Sequence, residues 1–472
     1  MQTALSTGAL SNSPATPHSS RLSAERATSL SQRSVAKSGR TNNGLRLRFD
    51  ESHARSQRDA CAVEPAIQGN HLAIQRFLQR TLHRPALPEF NAAVSRPGYE
   101  PSDRLIIKNP HDKTIAGHVQ IETQMIRFGG CEIPVARIRD FAVLAEYRQQ
   151  GFADVLLAEA EAEAKRRGAM LVIAQREDFR LLKKTGWCVL GSDPVSIVSP
   201  QRLLGQLPAP AQPESPFYAD MMPQHEVRIG RITDVDSMSS IYDAVYANVY
   251  GSIQRSTEKW SWLLSKQSHN RIYMFIEDNM PLAYVVVRGG SVIELADMTD
   301  DARGAARLLE CVGADAIEQG RYSLRLHCPL TSPIHEWADL AGGQVFAAST
   351  EDSWMVKITS KRTLLRRLAH EMYRRKPKGL TELGIRVGNE ELLIRKGVRS
   401  MKVTRGTAPA HHIGLTNASA AALFLGYRTA AELTAGQELV ASSPEALYMT
   451  NELFPAVMLW RTQWDDATVI SR

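Results

Sequence analysis

The chain holds 472 residues, 43% of them apolar and 23% charged, an ordinary globular composition with enough apolar mass for several buried cores. Its net charge of +7 is concentrated at one end: residues 1–60 carry +5 and the other 412 only +2, so the folded part lacks a basic footprint for nucleic acid. No apolar run reaches the roughly 18 residues of a membrane helix, and five dispersed cysteines (Cys61, Cys131, Cys188, Cys311, Cys328) without a CxxC pair suit reduced thiols in a cytoplasmic protein.

Residues 1–66 read as a disordered Ser/Arg-rich tail. The first 60 residues contain twelve Ser and one aromatic, Phe49, and cannot bury enough apolar area to offset the entropy of ordering. Order is expected to begin near Asn70, where Leu72, Ile74, Phe77, Leu78 and Leu82 recur at helical spacing. β-rich runs follow at Leu105–Lys108, Ile115–Ile121, 124–128 and 133–143, with Gly129–Gly130 as a turn. A helix is expected from Phe152 to Arg167. Its acids (Asp154, Glu159, Glu161, Glu163) precede its bases (Lys165, Arg166, Arg167), which suits the helix dipole, and Gly168 supplies a C-terminal cap. A strand at Met170–Ala174, a short helix near 177–185 and Gly186–Trp187 complete a first unit, 67–205.

Five prolines mark 206–225 as a linker. A second unit, 226–360, repeats the order: helices, strands at 272–276, 282–287 and 291–296, a helix at 303–319 and a strand at 323–328. Trp260, Trp262, Leu263 and Leu264 form one apolar helix edge. A basic connector helix is expected within 361–384. The third unit, 385–472, reads as strands followed by helices at 417–425, 429–435 and 443–453. The repeated order of elements points to a duplication, and the fold class is α+β with mixed sheets flanked by helices.

The chemically informative stretch runs from Asp140 to Leu157. A strand ends at Val143, a short turn carries Arg148, Gln149, Gln150, Gly151, Phe152 and Ala153, and a helix starts at once. A diphosphate needs several N–H donors converging on one point, and a helix N-terminus supplies unpaired N–H groups and a positive dipole end. Gly151 lets the backbone approach phosphates without a Cβ, and Arg148 adds charge.

The segment VARIRDFAVLAEYRQQGFADVLL (135–157), followed by LLKKTGW (181–187), resembles the GNAT family of N-acetyltransferases: its V-x-P-x-x-R-x-x-G-x-G/A element and its closing F-Y-x-x-x-G-F/W element. The resemblance implies acetyl-CoA as co-substrate and direct attack of a primary amine on the thioester. It also implies that backbone groups of Phe141, Ala142 and Val143 hold the pantetheine arm, and that Gln149, Gln150, Gly151, Phe152, Ala153 and Asp154 bind the pyrophosphate. Two GNAT-like units and a small α+β third domain are similar to the Eis family, whose last domain is sterol-carrier-like. Ala420–Gly426, Thr429–Leu433 and Asn451–Pro455 carry that part of the resemblance, which also implies a homo-oligomer, a hexamer in that family.

The sequence departs from the family in one place that matters for chemistry. The tyrosine that protonates the leaving thiolate falls at Leu182, and leucine has no proton to give. Either Tyr147, Cys188 or water donates in its place, or catalysis is poor. For the base, His118 and Glu122 share one face of a strand by their even spacing, and Asp140 ends the central strand; each can relay a proton. Eis-like proteins also bring the chain's terminal carboxylate near the amine, here that of Arg472. In the second unit Asp297, Asp300 and Asp301 stand where the first has Arg148 and Gly151, so it is expected not to bind CoA. No metal site is expected: His335-Glu336 begins like HExxH, but position 339 is Asp.

Overall fold

The computed structural model of the chain describes residues 62–467 apart from 110–111, 176–178, 192–193, 210–223, 267, 347–353, 376 and 408. Most of the expected tail, most of the proline-rich linker and the terminal Arg472 lie outside the described residues. In chain order the first elements are β1 (Val63–Pro65), α1 (His71–Leu82), α2 (Leu87–Val94), β2 (Arg104–Lys108), β3 (Ile115–Phe128) and β4 (Cys131–Val143). There follow α3 (Phe152–Arg166), β5 (Leu171–Gln175), α4 (Phe179–Lys184), β6 (Cys188–Gly191), β7 (Val195–Val198) and α5 (Pro200–Leu204). Next come β8 (His225–Ile229), α6 (Val235–Tyr246), α7 (Thr257–Ser265), β9 (Arg271–Glu277), β10 (Met280–Arg288), β11 (Ser291–Asp297) and α8 (Arg303–Glu318). Then β12 (Leu324–Leu326), α9 (Ile334–Leu340), β13 (Gln344–Phe346), β14 (Trp354–Ile358), α10 (Lys361–Arg367) and α11 (Ala369–Arg375). The last are β15 (Glu382–Val387), β16 (Glu390–Lys396), β17 (Met401–Arg405), β18 (His412–Leu415), α12 (Asn417–Phe424), α13 (Ala430–Ala435), β19 (Leu439–Ala441) and α14 (Pro444–Leu453).

These strands form three mixed sheets, so the fold is α+β with two large GNAT-like sheets and a smaller third. The first has the order β1-β2-β3-β4-β5-β14-β6, the second β13-β7-β12-β11-β10-β9-β8, and the third β17-β16-β15-β18-β19. Two strands cross the bounds read from the sequence. β7 lies in the second sheet, between β13 and β12, and β14 lies in the first, between β5 and β6. The two units thus exchange strands reciprocally. Proximity along the chain assigned each strand to its nearer unit, whereas pairing is set by which face each side chain must cover.

The first sheet shows that alternation clearly. Val119, Ile121, Ala136, Ile138, Val172, Ala174 and Met355 pack against Leu156, Leu157, Ala160 and Ala164 of α3. Their neighbours Ile133, Val135, Leu171, Ile173, Trp354 and Val356 point to the other face and share one core with the third sheet and α12–α14. Each large apolar side chain so buried contributes on the order of 1.5–3 kcal/mol before ordering costs. α3 crosses between the parallel strands β4 and β5, and Gly168 at φ 81° closes its C-terminus, with Ala169 N–H donating to Ala164 O at 3.0 Å. The expected run at 115–121 and 124–128 is one continuous strand, β3, and the basic connector is two helices, α10 and α11, meeting at Leu368.

After α14 the chain returns to the second unit. Trp460 stacks on Tyr246 at 4.8 Å, and Trp464 packs edge-on against Trp260 at 5.7 Å. Arg255, with its guanidinium fully buried, forks onto Glu294 (2.5 and 2.9 Å) and reaches Asp465 (2.7 Å). The terminal segment is therefore a structural part of the second unit, although it lies within the bounds 385–472 of the third.

Candidate active site

β4 pairs in parallel with β5 from Val135↔Leu171 to Ile138↔Ala174, and the register ends there. β4 itself continues to Val143. On its other edge His118 faces Ala142 and Gln120 faces Arg139, so Asp140 and Phe141 together oppose Val119. This is a β-bulge, with Asp140 at φ 49°. Bulge and splay open a cleft on the α3 side of the sheet, lined by Ile138, Arg139, Asp140, Phe141, Ala174, Gln175, Leu157, Leu181, Leu182 and Arg84. Beyond Ile138, the β4 edge that faces β5 has no strand partner in that register. Ala142 and Val143 are buried, and Phe141 is half-buried.

α3 follows β4 in the chain and contributes Leu157 to the cleft wall. Gly151 is the N-cap at φ 81°, and no side chain caps the helix. A Cβ at Gly151 would meet nothing within 4 Å. The first-turn amides, those of Phe152, Ala153 and Asp154 among them, lack intrahelical partners by helix geometry, an arrangement that fits a diphosphate. Arg148 donates through Nε to Val143 O at 3.1 Å, which fixes the turn to the end of β4, and Gln150 Nε2 donates to Glu146 O at 2.9 Å. The Phe152 ring is buried against Tyr147 (4.7 Å), so only its main chain is available. Gln149 and the Asp154 carboxylate are exposed.

The three expected proton-transfer residues stand in three different environments. His118 is fully buried. Its Nε2 accepts from Arg104 Nη1 at 3.1 Å, and its Nδ1–H therefore donates to Asp140 O at 2.8 Å. Burial, then the Arg104 charge, depresses its pKa to about 3. Both nitrogens are engaged, and the ring braces the bulge. Glu122 is also buried. Burial alone would raise its pKa, but Arg96 (2.5 Å), Lys259 (3.6 Å), Arg139 (3.6 Å) and the nearby Arg137 override it and hold the carboxyl well below the usual range. Asp140 alone of the three lines the cleft, its Oδ2 3.8 Å from Arg104 Nη1.

Leu182 forms part of the cleft wall and is 3% exposed. Of the alternative donors, Tyr147 packs on Phe152, outside the cleft lining. Cys188 points to the core on the sheet's other face, its thiol pushed up to about 11 by burial. Sequence reasoning missed Arg84, Arg139 and Gln175 in the lining and Arg104 behind it. Arg104 comes from β2, and no local pattern relates it to His118 or Asp140. The bulge had one available signal, an aspartate placed where a strand needs positive φ.

In the second unit the helix corresponding to α3 is α8, and its N-terminus is occupied. Asp297 Oδ2 accepts from Ala305 N–H at 2.6 Å, and its Oδ1 accepts from Thr299 N–H and Oγ1–H at 2.8 and 2.7 Å. Thr299 Oγ1 in turn accepts from Gly304 N–H at 3.2 Å. Asp301 pairs with Arg303 at 2.8 Å. A carboxylate of the chain's own thus takes the place a phosphate would need, a stronger exclusion than the charge repulsion read from the sequence.

Among the described residues no cluster of three or more His, Cys, Asp or Glu could hold a metal, and no helix is long and apolar enough to cross a membrane. Cys131, Cys188, Cys311 and Cys328 are unpaired.

No curated protein matches the chain. Among solved structures, a GCN5-related N-acetyltransferase from Kribbella flavida is 14% identical with a TM-score of 0.66, over 85% of this chain and 97% of that one. A probable N-acyltransferase from Enterococcus faecalis V583 gives 14% identity and a TM-score of 0.68, over 85% and 99%. Eis1 from Mycobacterium abscessus gives 14% and 0.61, also over 85% and 99%. At such identities the likeness is one of fold. Residues 67–190, the stretch holding the bulge in β4, the open start of α3 and Leu182, match the acetyltransferase (GNAT) domain family.

Proposed function

We propose that the first unit is an N-acyltransferase that moves an acetyl group from acetyl-CoA to a primary amine in one direct step. The observation that carries this reading is the pairing of two features: no side chain caps the start of α3, and the same helix supplies Leu157 to the cleft where the β4–β5 register ends. Main-chain amides over Gln149, Gln150, Gly151, Phe152, Ala153 and Asp154 hold the pyrophosphate, with Arg148 adding charge. The main chain of Phe141, Ala142 and Val143 guides the pantetheine arm toward the bulge.

Asp140 takes the proton from the incoming ammonium, directly or through water. The neutral amine attacks the thioester carbonyl, the C–S bond breaks, and the proton shed by the nitrogen passes through water to the departing CoA thiolate, since Leu182 has no proton to give. His118 positions the bulge carbonyl, and Glu122 anchors surrounding cations. The second unit shapes the acceptor side and binds no CoA. We also expect a cytoplasmic homo-oligomer, a hexamer by light scattering.

Thiol release from acetyl-CoA, measured with polyamines, lysine peptides and aminoglycosides, tests the reading. At least one amine should raise release above the hydrolytic background. Binding of acetyl-CoA without any such rise would leave a second reading, a non-catalytic acyl-CoA- or lipid-binding assembly, which Leu182 favours. Absence of CoA binding by calorimetry would remove the transferase reading and the acyl-CoA form of the second.

A further inference from the structure

The face of the first sheet opposite the cleft holds a second cavity, walled by Phe128, Leu171, Ile173, Leu190, Leu425 and Trp354. Its interior offers about 50 Å³ to water-sized spheres, and about 580 Å³ of empty space once the open mouth is counted. Through Leu190, Leu459 and Trp460 it continues into a wider open groove between the second unit and the third. The cavity is apolar apart from one end, where Trp460 and Arg461 complete the wall.

That end is short of acceptors. Among the described residues Arg461, 8% exposed, finds no hydrogen-bond partner for its Nε and Nη1, and the buried indole Nε1 of Trp460 finds none either. Arg461 Nη2 donates to Asp466 at 3.0 and 3.1 Å, but Asp466 is shared with Arg137. The two guanidiniums lie over the Trp354 ring, at 4.3 Å for Arg461 and 4.9 Å for Arg137, and Arg137 Nε is likewise unpartnered. Among the described residues the two guanidiniums thus share one hydrogen-bonded carboxylate, and the other carboxylate near Arg137, Glu122, is already paired with Arg96. A buried charge in excess and several buried donors without acceptors are each costly, and a second anion relieves both.

We propose that this cavity binds a molecule with an apolar chain and a terminal carboxylate, a fatty acid in chemical class. The carboxylate accepts from Arg461 and Trp460, and the chain lies along Ile173, Leu171 and Phe128. The site is separate from the acyl-CoA cleft, because the sheet stands between them, and it does not depend on the transferase reading.

Titration of the full chain with octanoate, 1-octanol and octyltrimethylammonium, followed by calorimetry, tests it. Octanoate should bind at one equivalent, about tenfold or more tighter than octanol, and the cation should not bind. Saturation with CoA should leave octanoate affinity unchanged. Arg461→Met, which keeps the bulk, should weaken octanoate about tenfold and spare octanol. Ile173→Trp, which fills the cavity from a different wall, should abolish binding of both. Equal affinity for octanol and octanoate, displacement by CoA, or no binding by a wild type with a cooperative melt would each overturn the proposal.

Discussion

The strand-to-helix junctions of the two large sheets, Val143–Phe152 in the first and Asp297–Arg303 in the second, are built from similar parts. In both a central strand ends, a short turn bends back, and a helix begins from a residue in the left-handed region: Gly151 at φ 81° and Ala302 at φ 57°. In the first junction no side chain caps the helix start by a hydrogen bond, and a Cβ at Gly151 would meet nothing within 4 Å. In the second, Asp297 and Thr299 cap the helix start, and a Cβ at Gly304 would come within 2.7 Å of Asp297 Oδ1 and 2.9 Å of Ala283 Cβ. A helix N-terminus is an anion site by default. Whether it remains one depends on whether the chain supplies the anion itself.

The largest effect should come from closing the open junction. Gly151→Asp puts a carboxylate and a Cβ where the diphosphate would lie, and CoA affinity by calorimetry should fall at least about a hundredfold. Gly151→Ala should cost only about 1–2 kcal/mol of stability from its positive φ, and should retain detectable binding. Equal loss in both variants would mean that backbone strain, and not phosphate access, is what is being measured.

A smaller effect is expected inside the cleft. Leu182→Tyr places a phenol in the wall where a proton donor is absent, and the rate of amine-stimulated thiol release should rise about tenfold or more. An unchanged rate with intact CoA binding would show that sulfur protonation does not limit turnover.

The two junctions can also be compared through acid. His118 has a folded pKa near 3 against an ordinary value of 6.5, so the unfolded chain binds the extra proton between these values. Stability is then greatest above about pH 6.5 and declines as pH falls toward 3. Glu122, also depressed, adds to the loss below its ordinary value of 4.5. The fall in melting temperature between pH 6.5 and 5 should be shallower in His118→Gln than in the wild type. Parallel curves would mean that the brace under the bulge does not titrate on unfolding.

The smallest effect tests the closed junction. Asp297→Ala removes the α8 cap and should cost about 1 kcal/mol, read as a lower melting temperature. CoA stoichiometry should stay at one per chain, because Asp300 and Asp301 remain beside the helix start. A second equivalent would show that the cap alone separates the two junctions.

Much of this comparison was legible in the sequence because its signals are local. Acids before bases and Gly168 marked α3 to within a residue, and Gly151 followed by an amphipathic run marked the open junction. The three last helices of the third unit lie where the caps Thr416, Thr429 and Ser443 start them. What escaped was long-range. Even spacing put His118 and Glu122 on one face, but not the partners that immobilise them: Arg104 from β2 for one, Arg96 and Lys259 for the other. Asp297 was readable as a charge but not as a cap, since its bond to Ala305 spans eight residues across a turn. The strand exchange left no local trace, because β7 and β14 are ordinary apolar runs whose destinations depend on the sheets already formed.

That exchange bears on how the protein can be taken apart. A fragment cut at the proline-rich segment would leave β5 and β6 with a vacancy where Trp354–Ile358 belongs, two lines of unsatisfied backbone amides and carbonyls facing each other. The complementary fragment would lack Val195–Val198 between β12 and β13. Neither half holds a full set of its own strands, so an isolated transferase module would have to carry β14 grafted from beyond residue 350.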